Sequence, residues 1–563
     1  MKNINFLLWV LAMLCHTNND AQGVSQTIGS GNMLAKVSNK GTLIDSILVF
    51  DPNTSLTTTA LKDYSIWLGG VEGAGHLLLT LQSKDSSRND FWVGFRNRPG
   101  SDKVWKVTDD ELKQHLADFE FDQVVDNPIP SIFSWPAMGN QFSPALNGFS
   151  TDGLTEEQGA PFLDRNFNKI YEPHLGEFPD EDFRELAIEG KTNYSELVFM
   201  PFCSKPTDAV TFRRRTPVNG NMLLVSYHCE ESFFLSNTLF GRLQFNYEND
   251  FWMDSLSLGL FMDTNSGNGN NDFIGSDIDR GVFYCYDGDT LDTAFNGQSP
   301  MFGFECSNII SDFLIPWQPW VLPIGMMPMR IAQDSTIDPR LLFPEQPAEI
   351  YNYLTGAWRD GTPLTSGGDG LNDGSINFVD SAFPGILNSP NQWSEISAQN
   401  TPGERAMLVR YKLGQYPACT NKCRSDRINF TFYNVPSGST PTAQKIKMDS
   451  LHKWASAFFS YHGASILGPQ VPCLLTSNTN NPISDNPQVK AYPNPVKDIL
   501  HLDFGAITPN WVSLLNITSR HVRNVKPSAP VFDMDVSGLP IGVYLLHWRD
   551  EMRVGSRVVV VGR

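Results

Sequence analysis

"ILHLDFGAITPNWVSLLNI", Ile499–Ile517, places two β-prone runs on either side of a break that holds a Gly and a Pro. The runs are ILHLDF (Ile499–Phe504) and WVSLLNI (Trp511–Ile517), and the rhythm continues in VYLLHW (Val543–Trp548) and SRVVVV (Ser556–Val561). Gly538–Pro540 and Gly542 punctuate the later pair. Short runs of β-branched and aromatic residues between turn residues read as strands. Several in close succession predict a small immunoglobulin-like β-sandwich over 489–563. Just upstream, SNTNNPISDNP (Ser477–Pro487) is polar and rich in Asn and Pro, and reads as a linker over 476–488.

The body, 22–475, carries the same strand signal. HLLLTL (His76–Leu81), DFWVGF (Asp90–Phe95), MLLVSYH (Met222–His228), GRLQFNY (Gly241–Tyr247) and INFTFY (Ile428–Tyr433) are strand candidates. Two helices interrupt them. Thr108 to Glu111 forms a capping box opening a helix near Asp109–Asp118, where the Thr oxygen takes one free N–H and the Glu returns to another. Met448, Leu451, Trp454, Phe458 and Tyr461 recur at helical spacing and predict an amphipathic helix with a core-facing stripe. The fold class expected is therefore mainly β: a large β-rich body with a few helices, subdividing near 193, joined to the C-terminal sandwich. The irregular stretches 128–161 and 316–347 need disulfides, metal or their own packing to hold them.

The 563-residue chain is too long for one ordinary core. Its net charge of -19 makes it a poor partner for phosphate backbones or anionic membranes, so no nucleic-acid role is expected. Lys2, the apolar run Phe6–Leu14 and small or polar residues to Ala21 read as a signal peptide over 1–21, with cleavage near Ala21–Gln22. Leu14 stands before Cys15 where lipidation wants a small residue. No stretch is long enough for a transmembrane helix. Export permits disulfides. The seven cysteines left are Cys203, Cys229, Cys285, Cys306, Cys419, Cys423 and Cys473, and an odd number leaves one unpaired within a single chain. Cys419 and Cys423 have no second pair nearby to make a zinc site.

AYPNPVKDILHLDF (Ala491–Phe504), VSLLNITSRHV (Val512–Val522), MDVSGLPIGVYLLHW (Met534–Trp548) and RVVVVGR (Arg557–Arg563) follow in order. Together they resemble the type A C-terminal sorting domain of the Bacteroidota type IX secretion system. The resemblance implies export through the inner membrane by the signal peptide. It then implies outer-membrane passage through the type IX translocon, which reads this domain. Landmarks of the body, among them SIWLGGVEGAGHLLLTLQ (Ser65–Gln82) and GAPFLDRNFNKIYEPHLGEFPD (Gly159–Asp180), resemble large uncharacterised secreted Bacteroidota proteins with the same terminal domain. That resemblance implies no activity.

Two loops have calcium-like composition. MDTNSGNGNNDFIGSDID (Met262–Asp279) offers Asp263, Asn265, Asp272 and Asp277 as hard oxygen ligands, with Gly267, Gly269 and Gly275 letting carbonyls turn inward. The competing reading is a polar turn closed by its own Asx side chains. In the second loop Asp164, Asn166 and Asn168 stand at positions 1, 3 and 5, with the Ile170 carbonyl at 7. Lys169 sits where Gly is wanted and Leu175 where Glu is wanted, so Glu172, Glu177 or Asp180 would have to close the cage. A third cluster, 368–374, reads as a turn.

No HExxH, GxSxG or phosphate-loop motif occurs, and no catalytic residue is assigned. Carboxylate pairs for glycoside cleavage are recognised in space, not in sequence. Trp317 and Trp320 read either as loop packing or as a sugar platform. Aspartate-Ser/Thr triplets such as Asp45–Ile47 and Asp380–Ala382 look like the O-glycosylation motif of exported Bacteroidota proteins. The function expected is a type IX-secreted surface or extracellular protein, adhesive or structural, stabilised by calcium, with a glycan or protein ligand. The alternative is a secreted hydrolase acting on glycan or protein.

Overall fold

The computed structural model describes residues 22–562 apart from 181–193, 206–214, 312–319, 417–424, 460–489 and several shorter gaps. The expected signal peptide, the linker, and Cys229, Cys419, Cys423 and Cys473 fall outside the described residues. The chain gathers into two compact units, the body and the C-terminal domain.

The body is built on two antiparallel sheets. One has eight strands, in the order Ser25–Ser30, Met33–Ser38, Ser46–Asp51, Leu56–Glu72, Met253–Thr264, Arg405–Tyr416 and Gly325–Arg330, with Leu77–Leu81 also on Leu56–Glu72. The other has twelve, and its spine runs Gln22–Gly23, Val104–Thr108, Glu196–Ser204, Val218–Ser226, Thr238–Tyr247, Ser425–Val435, Met301–Cys306, Val282–Asp287 and Asp272–Asp277. Strands from before and after 193 interleave: Leu197 lies opposite Val107.

One hydrophobic core joins the sheets. Tyr64 of the first sheet meets Phe304, Phe430 and Phe432 of the second, with ring centroids 5.7, 5.4 and 5.5 Å away. Burying such aromatics removes large apolar surfaces from water and dominates the stability of a sandwich.

The outer faces are covered too, which is why Val218–Ser226 is buried at every position rather than at alternate ones. The helix Pro347–Thr355 lies on the first sheet. Its Leu354 reaches so close to Gly69 and Gly259 that a Cβ there would stand 2.7 and 2.8 Å from the Leu methyls. The helix Pro441–Phe459 lies on the second sheet, burying Met448 and Leu451 and placing Met448 against Gly303. It starts a full turn and more before the apolar stripe that predicts it, because the first turns carry Lys and Gln. The helix Asp109–Asp122 has the expected capping box, with the Thr108 N–H donating to Glu111 at 2.8 Å.

The irregular stretch 128–161 is held by packing and buried polar bonds. Trp135 is fully buried and its indole N–H donates to the Pro161 carbonyl at 2.9 Å. Asn140 donates to the carbonyls of Phe133 and Trp135. No disulfide forms among the described residues; Cys285 and Cys306 are buried free thiols. The expected bridges do not involve these two. Cys285 lies opposite Phe302, and Cys306 opposite Phe430, so the register keeps the sulfurs on separate rungs.

Each sheet has one edge strand with outward backbone groups taken by neighbouring segments. On Asp272–Asp277 the Gly403 N–H donates to the Asp272 carbonyl, Ile274 N–H donates to Glu395 and Ser276 N–H to the Phe383 carbonyl. On Gly325–Arg330, Met326 donates to Ser381 and Phe343 donates to the Arg330 carbonyl.

The C-terminal domain is an immunoglobulin-like sandwich. Lys490–Tyr492, Ile499–Asp503 and Val531–Asp535 form one sheet, and His521–Val525, Trp511–Leu515, Gly542–Arg549 and Val554–Val561 the other. Alternation sends Leu500, Leu502, Leu546 and Trp548 into its core.

Candidate calcium loops and the sorting domain

In the first loop, Asp263 is the last but one residue of the strand Met253–Thr264 and Asp272 begins the next strand, so both stand beside the connection between the two. Asn265 fastens the loop: its N–H donates to the Ala60 carbonyl at 2.9 Å and its Nδ2 to the Thr59 carbonyl at 2.7 Å. Asp272 Oδ1 accepts from the Ser266 N–H at 3.1 Å, while Asp272 Oδ2 and Asp263 Oδ1 are buried with no hydrogen-bond partner. Burial pushes the Asp263 carboxyl up to about 6 and the Asp272 carboxyl well above its ordinary range; Lys62 opposes both shifts and Glu404 reinforces them. Lys62 is itself bridged to Glu404 at 2.7 Å.

Asp277 is not brought to this place. It ends the same strand that Asp272 begins, and its Oδ2 accepts from Arg280 at 2.6 Å and from Lys445 at 3.2 Å. Five residues along a strand span about 16 Å, too far for one ion. Asp287 stands there instead, opposite Asp272 in the ladder and 1% exposed. Its Oδ1 accepts from Asn271 at 3.1 Å.

The second loop winds around Asp164. Asp164 accepts from the N–H groups of Asn168 (3.3 Å) and Lys169 (2.8 Å), and Asn168 Oδ1 accepts from Ile170 at 2.7 Å. Phe167 and Lys169 take left-handed φ values of 60° and 62°. Lys169 thus adopts the conformation usually left to Gly. Glu172 Oε2 accepts from Asn166 at 2.8 Å and Asn168 at 2.6 Å. Buried Glu177 closes the base, accepting from Arg165 (3.1 Å) and Glu172 (2.7 Å), and burial pushes its carboxyl up to about 7. Its carbonyl meets His115 Nε2 at 3.0 Å, which ties the loop to the helix Asp109–Asp122. Asp164, Asn166 and Asn168 are together here, with the Glu172 and Glu177 carboxylates beside them accepting protein N–H groups.

Among the described residues, no group of three or more His, Cys, Asp or Glu side chains forms a metal cluster by itself. A cation at either loop would draw on amide and main-chain oxygens as well, which calcium accepts. The orphaned oxygens of Asp263 and Asp272 fit that demand at the first loop. The third cluster is a turn, with Gly370 N–H donating to Gly367 at 3.0 Å and Asp373 paired to Arg340 at 2.8 Å. Trp317 lies outside the described residues, and of Trp320 only the strand position is described.

In the C-terminal domain the ordered motifs lock the two ends of the chain segment together. Asn494 Oδ1 accepts from the Val560 N–H at 2.7 Å, and Val496 N–H donates to the Val560 carbonyl at 2.7 Å. Asp535 Oδ1 accepts from the Ser537 N–H at 2.8 Å ahead of Gly538, whose φ is 79°. Tyr544 donates to the Pro540 carbonyl at 2.8 Å. These pins close a seven-stranded sandwich. Residues 490–561 match the family described as "Secretion system C-terminal sorting domain". The chain therefore ends in a type IX sorting domain and is a secreted or cell-surface protein, one whose sorting domain engages the type IX secretion machinery. No helix among the described residues is long and apolar enough to cross a membrane.

No curated protein matches the chain. A solved structure described as "Biofilm associated protein - BSP domain" aligns over 97% of this chain and 82% of that one, at 8% identity and a TM-score of 0.14, which carries no argument.

Proposed function

We propose that this is an adhesive or structural protein of the cell exterior in which calcium holds the two acidic loops. The observation that carries the reading is the sorting domain joined to a broad two-sheet body. The calcium part is supported by the buried, unpartnered oxygens of Asp263 and Asp272 and by the winding of Asn168 and Lys169 about Asp164. Calcium acts here on stability: crowded carboxylates repel one another when no cation offsets them. The body presents a surface ligand site, and the signal peptide and type IX passage deliver it there from a Bacteroidota cell.

Beads coated with the full secreted chain test the adhesive part. They should hold to glycan- or protein-coated surfaces under flow, and EDTA should weaken that hold by loosening the loops. Release of reducing sugar or peptide from those surfaces, with no retention, would replace this reading by a secreted hydrolase.

A further inference from the structure

Away from the acidic loops, the body carries a cleft of about 520 Å³ built on the short strand Phe91–Val93. Phe91 and Val93 are buried, whereas Trp92 between them is 52% exposed. Strand alternation requires this: two side chains enter the core and the third faces the cleft. Trp92 stands opposite Cys203 in the ladder, and both line the cleft.

The facing wall is the turn 94–102, which is tied in place. Ser101 Oγ donates to the Arg98 carbonyl at 2.6 Å, the Phe95 N–H donates to Ser101 Oγ at 2.9 Å, and Asn39 Nδ2 donates to the Asp102 carbonyl at 2.9 Å. A wall fixed in advance lowers the entropy lost on binding.

The charge of the lining runs against that of the chain. Among the described residues, Lys40, Arg96, Arg98 and Lys205 face it with one carboxylate, Asp102, in a protein of net charge -19. Neutral oxygens accept from three of them. Arg96 donates to Asn219 Oδ1 (2.8 Å) and Ser204 Oγ (3.1 Å), Arg98 to the carbonyls of Ser150 and Asp152, and Lys205 to the Asn89 carbonyl (2.6 Å). Asp90, next to the strand, is engaged by Arg215 at 2.8 Å.

An indole face packs on the apolar side of a pyranose ring, and guanidinium groups match carboxylate or sulfate in a fork geometry. The volume lies within the range of sites that hold small ligands. We propose that this cleft binds an acidic saccharide, with Trp92 under a sugar ring and Lys40, Arg96, Arg98 and Lys205 around its carboxylate or sulfate groups. The proposal deepens the adhesive reading and rests on it.

Calorimetry on the full chain tests it with four probes: trigalacturonate, a heparin hexasaccharide, neutral maltotriose and hexaglutamate. At least one acidic saccharide should bind about tenfold more tightly than maltotriose or hexaglutamate, and binding should weaken as salt rises from about 50 to about 500 mM. Trp92→Ala should weaken it about tenfold, and Lys40→Gln, at the rim, about threefold, with melts unchanged. Equal binding of maltotriose, equal binding of hexaglutamate, failure of both acidic saccharides, or an unaffected Trp92→Ala would each overturn the proposal. If coated beads still hold to surfaces while both acidic saccharides fail, the cleft proposal falls and the adhesive reading stands. If the saccharide binds but the beads do not hold, the adhesive reading falls alone.

Discussion

Replacing Asp263 by Asn tests whether the first loop awaits a cation. Asp263 lies opposite Asp63 in the ladder, with Oδ1 buried and unpartnered. Burial raises its pKa from 3.8 to about 6, against the pull of Lys62 and with the push of Glu404 and Asp63. A carboxyl raised in the folded state favours folding fully below its unfolded pKa and loses that contribution as pH rises through the folded one. At about 1.4 kcal/mol per pH unit, the loss comes to about 3 kcal/mol by pH 7.5. Asn cannot ionise. In EDTA the variant should therefore exceed the native chain in stability by up to about 3 kcal/mol at pH 7.5, and the two should converge near pH 4. Saturating calcium should narrow that gap. A hundredfold excess over Kd stabilises the native chain by about 2.7 kcal/mol, and the variant by less. Denaturant titrations followed by tryptophan fluorescence, at both pH values and with calcium or EDTA, give all the comparisons. A variant less stable than the native chain in EDTA at pH 7.5, or a difference that does not shrink in acid, would refute the reasoning.

Glu395→Gln removes the carboxylate that accepts from Arg405 at 3.0 and 3.1 Å in a buried pair, leaving that guanidinium uncompensated. The expected cost is about 3–5 kcal/mol in a denaturant titration. Thr108→Ala removes the cap of the helix Asp109–Asp122 and should cost about 1 kcal/mol, with faster amide exchange confined to its first turn. Deleting the chain from Tyr492 onward should leave the protein in the periplasm, as read by fractionation and surface labelling; a truncated chain on the surface or in the medium would oppose the sorting role. For the second loop, Asp164→Ala should lower the calcium bound by equilibrium dialysis by about one ion per chain, and unchanged stoichiometry would remove that loop as a site.

The helix at Asp109 was legible because a capping box is a local device, needing only Thr108 and Glu111. The terminal sandwich was legible because its runs are short and its turns carry Gly and Pro. The strand Leu56–Glu72 was not, since Lys62, Asp63, Gly69 and Gly70 weaken any β signal. Gly69 is set by the helix Pro347–Thr355 and Gly70 by the Ser255 carbonyl of the neighbouring strand, both far along the chain. Asp277 looked like a partner of Asp272 because sequence distance hides that a strand runs between them. Asp287 was the missed neighbour, and hairpin register about Gly281 is the signal that would have found it. In the second loop the spacing of Asp164, Asn166 and Asn168 pointed to the right turn. Glu177 comes to it only through the turn at Gly176 and the contact of its carbonyl with His115. The cationic cleft was invisible, because Lys40, Arg98 and Lys205 meet only after the sheets form.

The capped sheet edges bear on how such a protein can crowd a surface. An open strand edge invites the same strand of a neighbour, and chains displayed side by side would then zip into fibres. Here the loops carrying Phe383 and Gly403 take the outward groups of Asp272–Asp277. Pro328, which has no N–H to offer, sits within the other edge strand, Gly325–Arg330. At these two edges a neighbouring copy would meet side chains rather than free strand hydrogen bonds, and contacts made there would weaken with salt.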